Sequence, residues 1–313
     1  MKILFCDTTF EHARKALKRY LTDDEILYCP KEDIEKIIAN VDVAIPLMAR
    51  LDEDLIEKAS KLRLIQQFGV GLEGVDIEAA KRRGVQVANV PAKETGNAIS
   101  VAEWVVFLML ALARNYWEQL ESLRNRKLGV PLGKTLFGKK AGIVGMGSLG
   151  CEIATRLGAL GMEIWGIKKN PDERQGLPDG IKFLGGPADL KTLLPVVDFL
   201  ILAVPLTTET RGLISKTELK AMKPTAFLIN VSRGSVVNYS ALLWALEEKE
   251  IAGAGLDVFW EEPIDPDDSI FQYNVIASPH VAAITDHSLD NIAQAVANNL
   301  KRLKKGLPLK YLA

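Results

Sequence analysis

"KKAGIVGMGSLGCEIATRLGALGMEIWGI", residues 139–167, carries the clearest structural signal in the chain. The apolar run Ala141–Val144 leads into Gly145, Gly147 and Gly150, spaced G-x-G-x-x-G. An amphipathic helical stretch follows, and a second apolar run, Met162–Ile167, closes the pattern. Strand, glycine turn, helix and strand make the first crossover of an open parallel sheet, and each glycine has its own task. Gly145 permits the tight turn, Gly147 lets the backbone approach a diphosphate, and Gly150 lets the helix pack closely on the strand. The start of the helix, Ser148 and Leu149, then aims free N–H groups at an anion. A glycine-rich turn without a ligand is the plain alternative; the strand before and the helix after favour a dinucleotide site.

On either side of this stretch, short β-rich runs alternate with amphipathic helical ones, the pattern of parallel sheets covered on both faces. The fold class is therefore α/β. "KILFC", "VDVAI", "LRLIQ" and "VQVAN" predict strands of a first unit. "AGIVG", "MEIWGI", "FLILAV", "AFLIN", "AGLDV" and "NVIAS" predict strands of a second. A long helix is expected around residues 97–118, and its apolar run Ala98–Ala113, interrupted by Glu103, reads as a buried helix rather than a membrane span. The closing helix, about 285–304, has no strand after it and is expected to pack on the first unit.

At 313 residues two domains are the natural expectation, and 39 Lys+Arg against 40 Asp+Glu argue against nucleic acid or an anionic membrane as partner. A small soluble ligand fits better. Cys6, Cys29 and Cys151 show neither a disulfide framework nor zinc spacing, and "MKILFCD" is no signal peptide, so a cytoplasmic protein without a metal is expected.

In NAD-binding versions of this crossover an acid about 20 residues on accepts hydrogen bonds from the ribose hydroxyls. Here the second strand ends at Lys168, followed by Lys169, and neither can accept a hydrogen bond. The two lysines, with Asn170 and Arg174 nearby, would attract a 2′-phosphate, so NADP(H) is favoured over NAD(H). A solvated lysine pair, with NAD held by other contacts, is the alternative.

Chemistry in such a sheet belongs at the carboxyl ends of the strands. "FLINVSRGSVV" places Arg233 there, "AGLDVFWEEP" places Asp257, Glu261 and Glu262, and "NVIASPHVAA" places His280. Together with "QFGVGLEGVD", "GNAISVAEW", "TLFGKKAGIVGMGSLG" and "VPLTTETRGLI", these motifs closely resemble the D-isomer-specific 2-hydroxyacid dehydrogenase family.

The resemblance implies two Rossmann-like doubly wound parallel-sheet domains with a cleft between them. The substrate domain would be discontinuous, residues 1–98 and 284–313, and residues 99–283 would bind the dinucleotide. It also implies a catalytic Arg233, Glu262 and His280. Arg233 would grip the substrate carboxylate, and His280, kept cationic by Glu262, would donate a proton to the carbonyl oxygen as hydride arrives. Family register alone separates Glu262 from Glu261. Asp257 would lie on the cofactor side, with a buried structural aspartate as its alternative. Val204, Pro205 and Thr210 would line the adenosine side, Val231 and Ser232 the nicotinamide side, and Val70 and Gly71 would offer N–H groups to the substrate. Trp104 would pack at the domain junction. A homodimer through the nucleotide-binding domain is implied as well.

Pro46 and Gln67 stand where phosphoglycerate-specific relatives have arginines, although Arg50 could substitute. Small 2-oxoacids such as glyoxylate or hydroxypyruvate therefore lead, and 3-phosphoglycerate is second. A non-catalytic, nucleotide-sensing corepressor-like protein is the reading from a different class.

Overall fold

A computed structural model describes residues 1–313, which divide into two compact units, Met1–Asn97 with Ile284–Ala313, and Ala98–Ala283. In the first unit, β1 (Lys2–Phe5), β2 (Glu25–Tyr28), β3 (Val43–Ile45), β4 (Leu64–Gln66) and β5 (Gln86–Ala88) pair in parallel in the order β2-β1-β3-β4-β5. The helix Asp286–Lys304 belongs to this unit because its apolar stripe, Ile292, Val296, Leu300 and Leu303, is buried in one cluster with Ile3, Phe5 and Leu17. Polar groups fix its register. Asn299 Nδ2 donates to Gln66 Oε1 at 2.9 Å, and Asp24 accepts both Lys304 and the N-terminal ammonium.

The second unit carries β6 (Lys140–Val144), β7 (Glu163–Ile167), β8 (Ile181–Gly185), β9 (Phe199–Leu202), β10 (Phe227–Asn230), β11 (Gly253–Leu256) and β12 (Val275–Ala277). All pairs are parallel, in the order β12-β11-β10-β9-β6-β7-β8. The order reverses between β6 and β9, the switch point at which open α/β sheets bind ligands beyond their carboxyl ends. β9 and β10 are buried along their whole length, as central strands covered on both faces must be.

Three features depart from the expected pattern. β2 and β8 are additional strands: both lie at sheet edges with half-exposed patterns, so neither shows a continuous apolar run. The long helix is two, Asn97–Ala113 and Tyr116–Arg124, bent by 57° where Asn115 takes a left-handed φ of 53°. Asparagine tolerates that conformation better than most residues. No single helix is long and apolar enough to cross a membrane.

Candidate active site

The glycine turn is shaped as its sequence requires. Gly145 has φ +105°, and a Cβ on it would stand 2.4 Å from Ala203 O; a Cβ on Gly150 would stand 2.1 Å from Gly145 O. A Cβ on Gly147 would meet nothing within 4 Å and would instead fill the space that a diphosphate needs. The helix Ser148–Ala159 starts with no side-chain cap, so its first N–H groups remain available to an anion. The residues present fit a dinucleotide.

At the end of β7, Lys168 N is fixed by Gly185 O at 2.9 Å, while its side chain turns back to Glu173. Lys169 is exposed. On the loop after β9, Val204 is half-buried and Pro205 exposed. The Thr210 hydroxyl donates to Pro205 O at 2.6 Å and accepts from Thr207 N at 2.7 Å. Thr210 therefore staples its own loop, which leaves the backbone rather than this hydroxyl for ligand contacts.

Arg233 lies in the turn after β10, and buried Asn230 builds that turn. Asn230 Nδ2 donates to Arg233 O at 2.9 Å, and its Oδ1 accepts Ser232 N at 3.1 Å and Ser232 Oγ at 2.9 Å. Gly234 follows because a Cβ there would overlap the Phe259 carbonyl at 2.1 Å. That close approach sets the arginine turn against the turn after β11, which carries Glu262. Val231 is buried and packs with the core cluster that holds Ile229 and Ile143.

Glu262 and His280 meet: His280 Nδ1 lies 2.7 Å from Glu262 Oε2, while Phe259 N donates to Glu262 Oε1 at 2.9 Å. Glu261 is exposed and makes no such contact, so tertiary structure separates the two neighbouring glutamates. Burial raises the tendency of Glu262 to bind a proton. The hydrogen bond and charge of His280, the Phe259 N–H and the Arg233 charge outweigh it, leaving the carboxyl below its ordinary value. All three functional groups are thus electrostatically connected. With Nδ1 donating to the Glu262 carboxylate, the orientation of the His280 ring is set.

Asp257 is 2% exposed and holds the histidine loop. It accepts Ser278 Oγ at 2.7 Å, Val281 N at 2.9 Å and Ala282 N at 3.0 Å, and its carbonyl accepts His280 N at 2.8 Å. Burial pushes its carboxyl upward against those bonds. The network fixes His280 in a left-handed backbone, φ 54°, that a side-chain-bearing residue adopts only when its surroundings enforce it. Trp104 Nε1 extends the network by donating to Ser278 Oγ at 2.8 Å. The Asp257 carboxylate thus accepts three hydrogen bonds within the protein, two at Oδ1 and one at Oδ2. Asn230, Ser278 and Trp104 carry no catalytic signature in sequence; their importance is visible only through these bonds.

In the first unit, Val70 and Gly71 form the turn beyond β4. Gln67 Nε2 donates to Gly71 O at 2.7 Å and Asn89 Nδ2 to Val70 O at 2.8 Å, while neither amide N–H is spent on a backbone carbonyl.

The family model for the D-isomer specific 2-hydroxyacid dehydrogenase NAD binding domain matches residues 106–282. The glyoxylate reductase of Thermococcus gammatolerans is 37% identical over 289 residues, covering 88% of this chain and 84% of that one. The chain belongs to the D-isomer-specific 2-hydroxyacid dehydrogenase family. The D-3-phosphoglycerate dehydrogenase of Archaeoglobus fulgidus is 32% identical across 99% of the chain, which spans 58% of its length. Among solved structures, a Thermus thermophilus protein superposes with a TM-score of 0.85 at 30% identity, covering 100% of both chains.

As a D-2-hydroxyacid dehydrogenase the chain is an oxidoreductase that uses a nicotinamide cofactor and acts on a CH–OH group. The Glu262–His280 pair also gives this dehydrogenase a stability signature. The folded-state carboxyl titrates below its ordinary value of 4.5, so its contribution is complete above that pH and is lost as pH falls through the lower folded-state value. Glu262→Gln is expected to cost about 1–2 kcal/mol at neutral pH. In urea denaturation the gap from the parent protein should close in acid; a gap independent of pH would contradict this account.

Proposed function

We propose that this dehydrogenase reduces small unphosphorylated 2-oxoacids, with glyoxylate and hydroxypyruvate leading, to their D-2-hydroxyacids, and that NADP(H) is preferred over NAD(H). The observation that carries the reading is the 2.7 Å Glu262–His280 pair, set beside the turn that holds Arg233. Arg233, whose Nη1 donates to Ser232 O at 2.8 Å, offers its planar guanidinium to the substrate carboxylate. His280 Nε2 gives its proton to the carbonyl oxygen, and Glu262 steadies the imidazolium before that transfer and in the reverse direction. A bound nicotinamide supplies the hydride.

Gln67 supports an unphosphorylated substrate. Both ends of its buried amide are spent on Leu47, Phe68 and Gly71, so nothing at that position is left for a phosphate. The names of the glyoxylate reductase relatives point the same way. For the cofactor, Lys168 and Lys169 stand where a ribose-binding acid is absent.

Absorbance assays with NADPH and NADH against glyoxylate, hydroxypyruvate and 3-phosphohydroxypyruvate test the reading. The highest kcat/KM is expected with NADPH and one of the first two acids. Greatest efficiency with the phosphorylated acid would move the assignment to phosphoglycerate, and nucleotide binding without turnover across a broader panel would make the chain a sensor.

A homodimer through the second unit is part of the proposal. Leu128, Leu132 and Phe137 are 96%, 91% and 73% exposed, and large apolar side chains left exposed within one short stretch suit an interface. A monomer at micromolar concentration in sedimentation equilibrium would remove it. Three free thiols, two of them buried, suit a reducing cytosol, which cell fractionation checks.

A further inference from the structure

We propose that Glu173 sets the balance between the two forms of the cofactor: its carboxylate, folded back onto Lys168, competes with a 2′-phosphate for that lysine and offers the ribose 2′-hydroxyl an acceptor in its place. The inference rests on the reading of Lys168 as the adenosine-end residue. Sequence alone shows only an acid missing at the end of β7. The fold returns one from five residues further on.

The return is built by short-range bonds. Lys168 N is anchored to Gly185 O at 2.9 Å, and beyond Pro171 the chain reverses, so that Glu173 N donates to Asn170 O at 3.2 Å. Lys168 Nζ donates to the Glu173 carbonyl and lies 3.8 Å from its Oε2, while Asn170 Nδ2 donates to Oε1 at 3.1 Å. Both carboxylate oxygens are therefore addressed from the same turn. The Lys168 side chain is 20% exposed and that of Glu173 66%, so the lysine is held while the acid faces solvent, where a ligand can reach it.

A 2′-phosphate carries about −1.5 to −2 charges and three acceptor oxygens, and it cannot share Lys168 with a neighbouring carboxylate without repulsion. A ribose 2′-hydroxyl is a donor and gains from that carboxylate. Glu173 accordingly penalises the phosphorylated form and favours the other, which moderates the preference that Lys168 and Lys169 create. Glu209 is the natural comparison: it is an exposed acid whose nearby charge is Lys169, but its carboxylate is bound by Thr207 on its own loop.

The test is calorimetric titration of the protein with adenosine 2′,5′-bisphosphate and with 5′-AMP, which requires no turnover. Glu173→Gln is expected to raise the bisphosphate-to-AMP affinity ratio about five-fold, the size of one partly exposed charge interaction. Glu209→Gln should change it by less than about two-fold, and Lys168→Ala should lower it. If Lys168→Ala lowers the ratio but Glu173→Gln leaves it unchanged, the Glu173 inference fails and the lysine reading stands. If Lys168→Ala has no effect, both fall. Equal effects from Glu173→Gln and Glu209→Gln would reduce the phenomenon to general charge and overturn the specific role.

Discussion

Replacing His280 by asparagine is expected to lower kcat by about 10²–10⁴-fold, the usual worth of a positioned general acid, with nucleotide affinity little changed. The expectation follows from geometry. Nδ1 is committed to Glu262 at 2.7 Å, so the ring is oriented, and in the proposed mechanism Nε2 delivers the proton. Asparagine is the sharper substitution because it tolerates the left-handed backbone, φ 54°, and can still donate to Glu262, so the carboxylate is not left unpaired. Alanine would remove the proton donor and the partner of a half-buried acid together. Single-turnover NADPH oxidation measures the chemical step, and NADPH fluorescence measures binding. A variant within tenfold of the parent kcat would show that the proton comes from elsewhere.

Arg233→Ala is expected to lower kcat/KM by about 10²–10⁴-fold, mainly through KM for the 2-oxoacid, because two charge-assisted hydrogen bonds are worth about 1.5–3 kcal/mol each. Its turn should survive the change. Asn230 holds the backbone around it, and Gly234 keeps its contact with Phe259 in the variant as in the parent. Arg233→Lys restores the charge but not the planar fork, so partial recovery is expected. Steady-state kinetics at saturating NADPH give the decision. A fall confined to kcat, with KM unchanged, would mean that Arg233 acts on the transition state alone and does not capture substrate.

The two variants probe groups that differ in how much of their role is visible in sequence. Gly145, Gly147 and Gly150 could be read directly, since each performs its task within a few residues of chain and the structure shows the clashes or open space that a Cβ would meet. Arg233 and His280 could be placed after strand ends because β10 and β12 are apolar runs with abrupt ends. Glu262 could not be told from Glu261 by any local property. The distinction lies in a contact with a histidine 18 residues away. Edge strands β2 and β8 escaped notice for a related reason: a strand buried on one side carries half the apolar signal.

The α/β alternation, the dinucleotide turn and the family are all legible along the chain, because periodicity, glycine spacing and motif order are properties of contiguous residues. Packing brings Glu262, the glutamate in family register, to 2.7 Å from His280, and spends the Asp257 carboxylate on the histidine loop with Ser278 and Trp104 behind it. Those are contacts a few ångströms long between groups separated along the chain. Their partners are chosen by how elements pack, and no local composition encodes that choice.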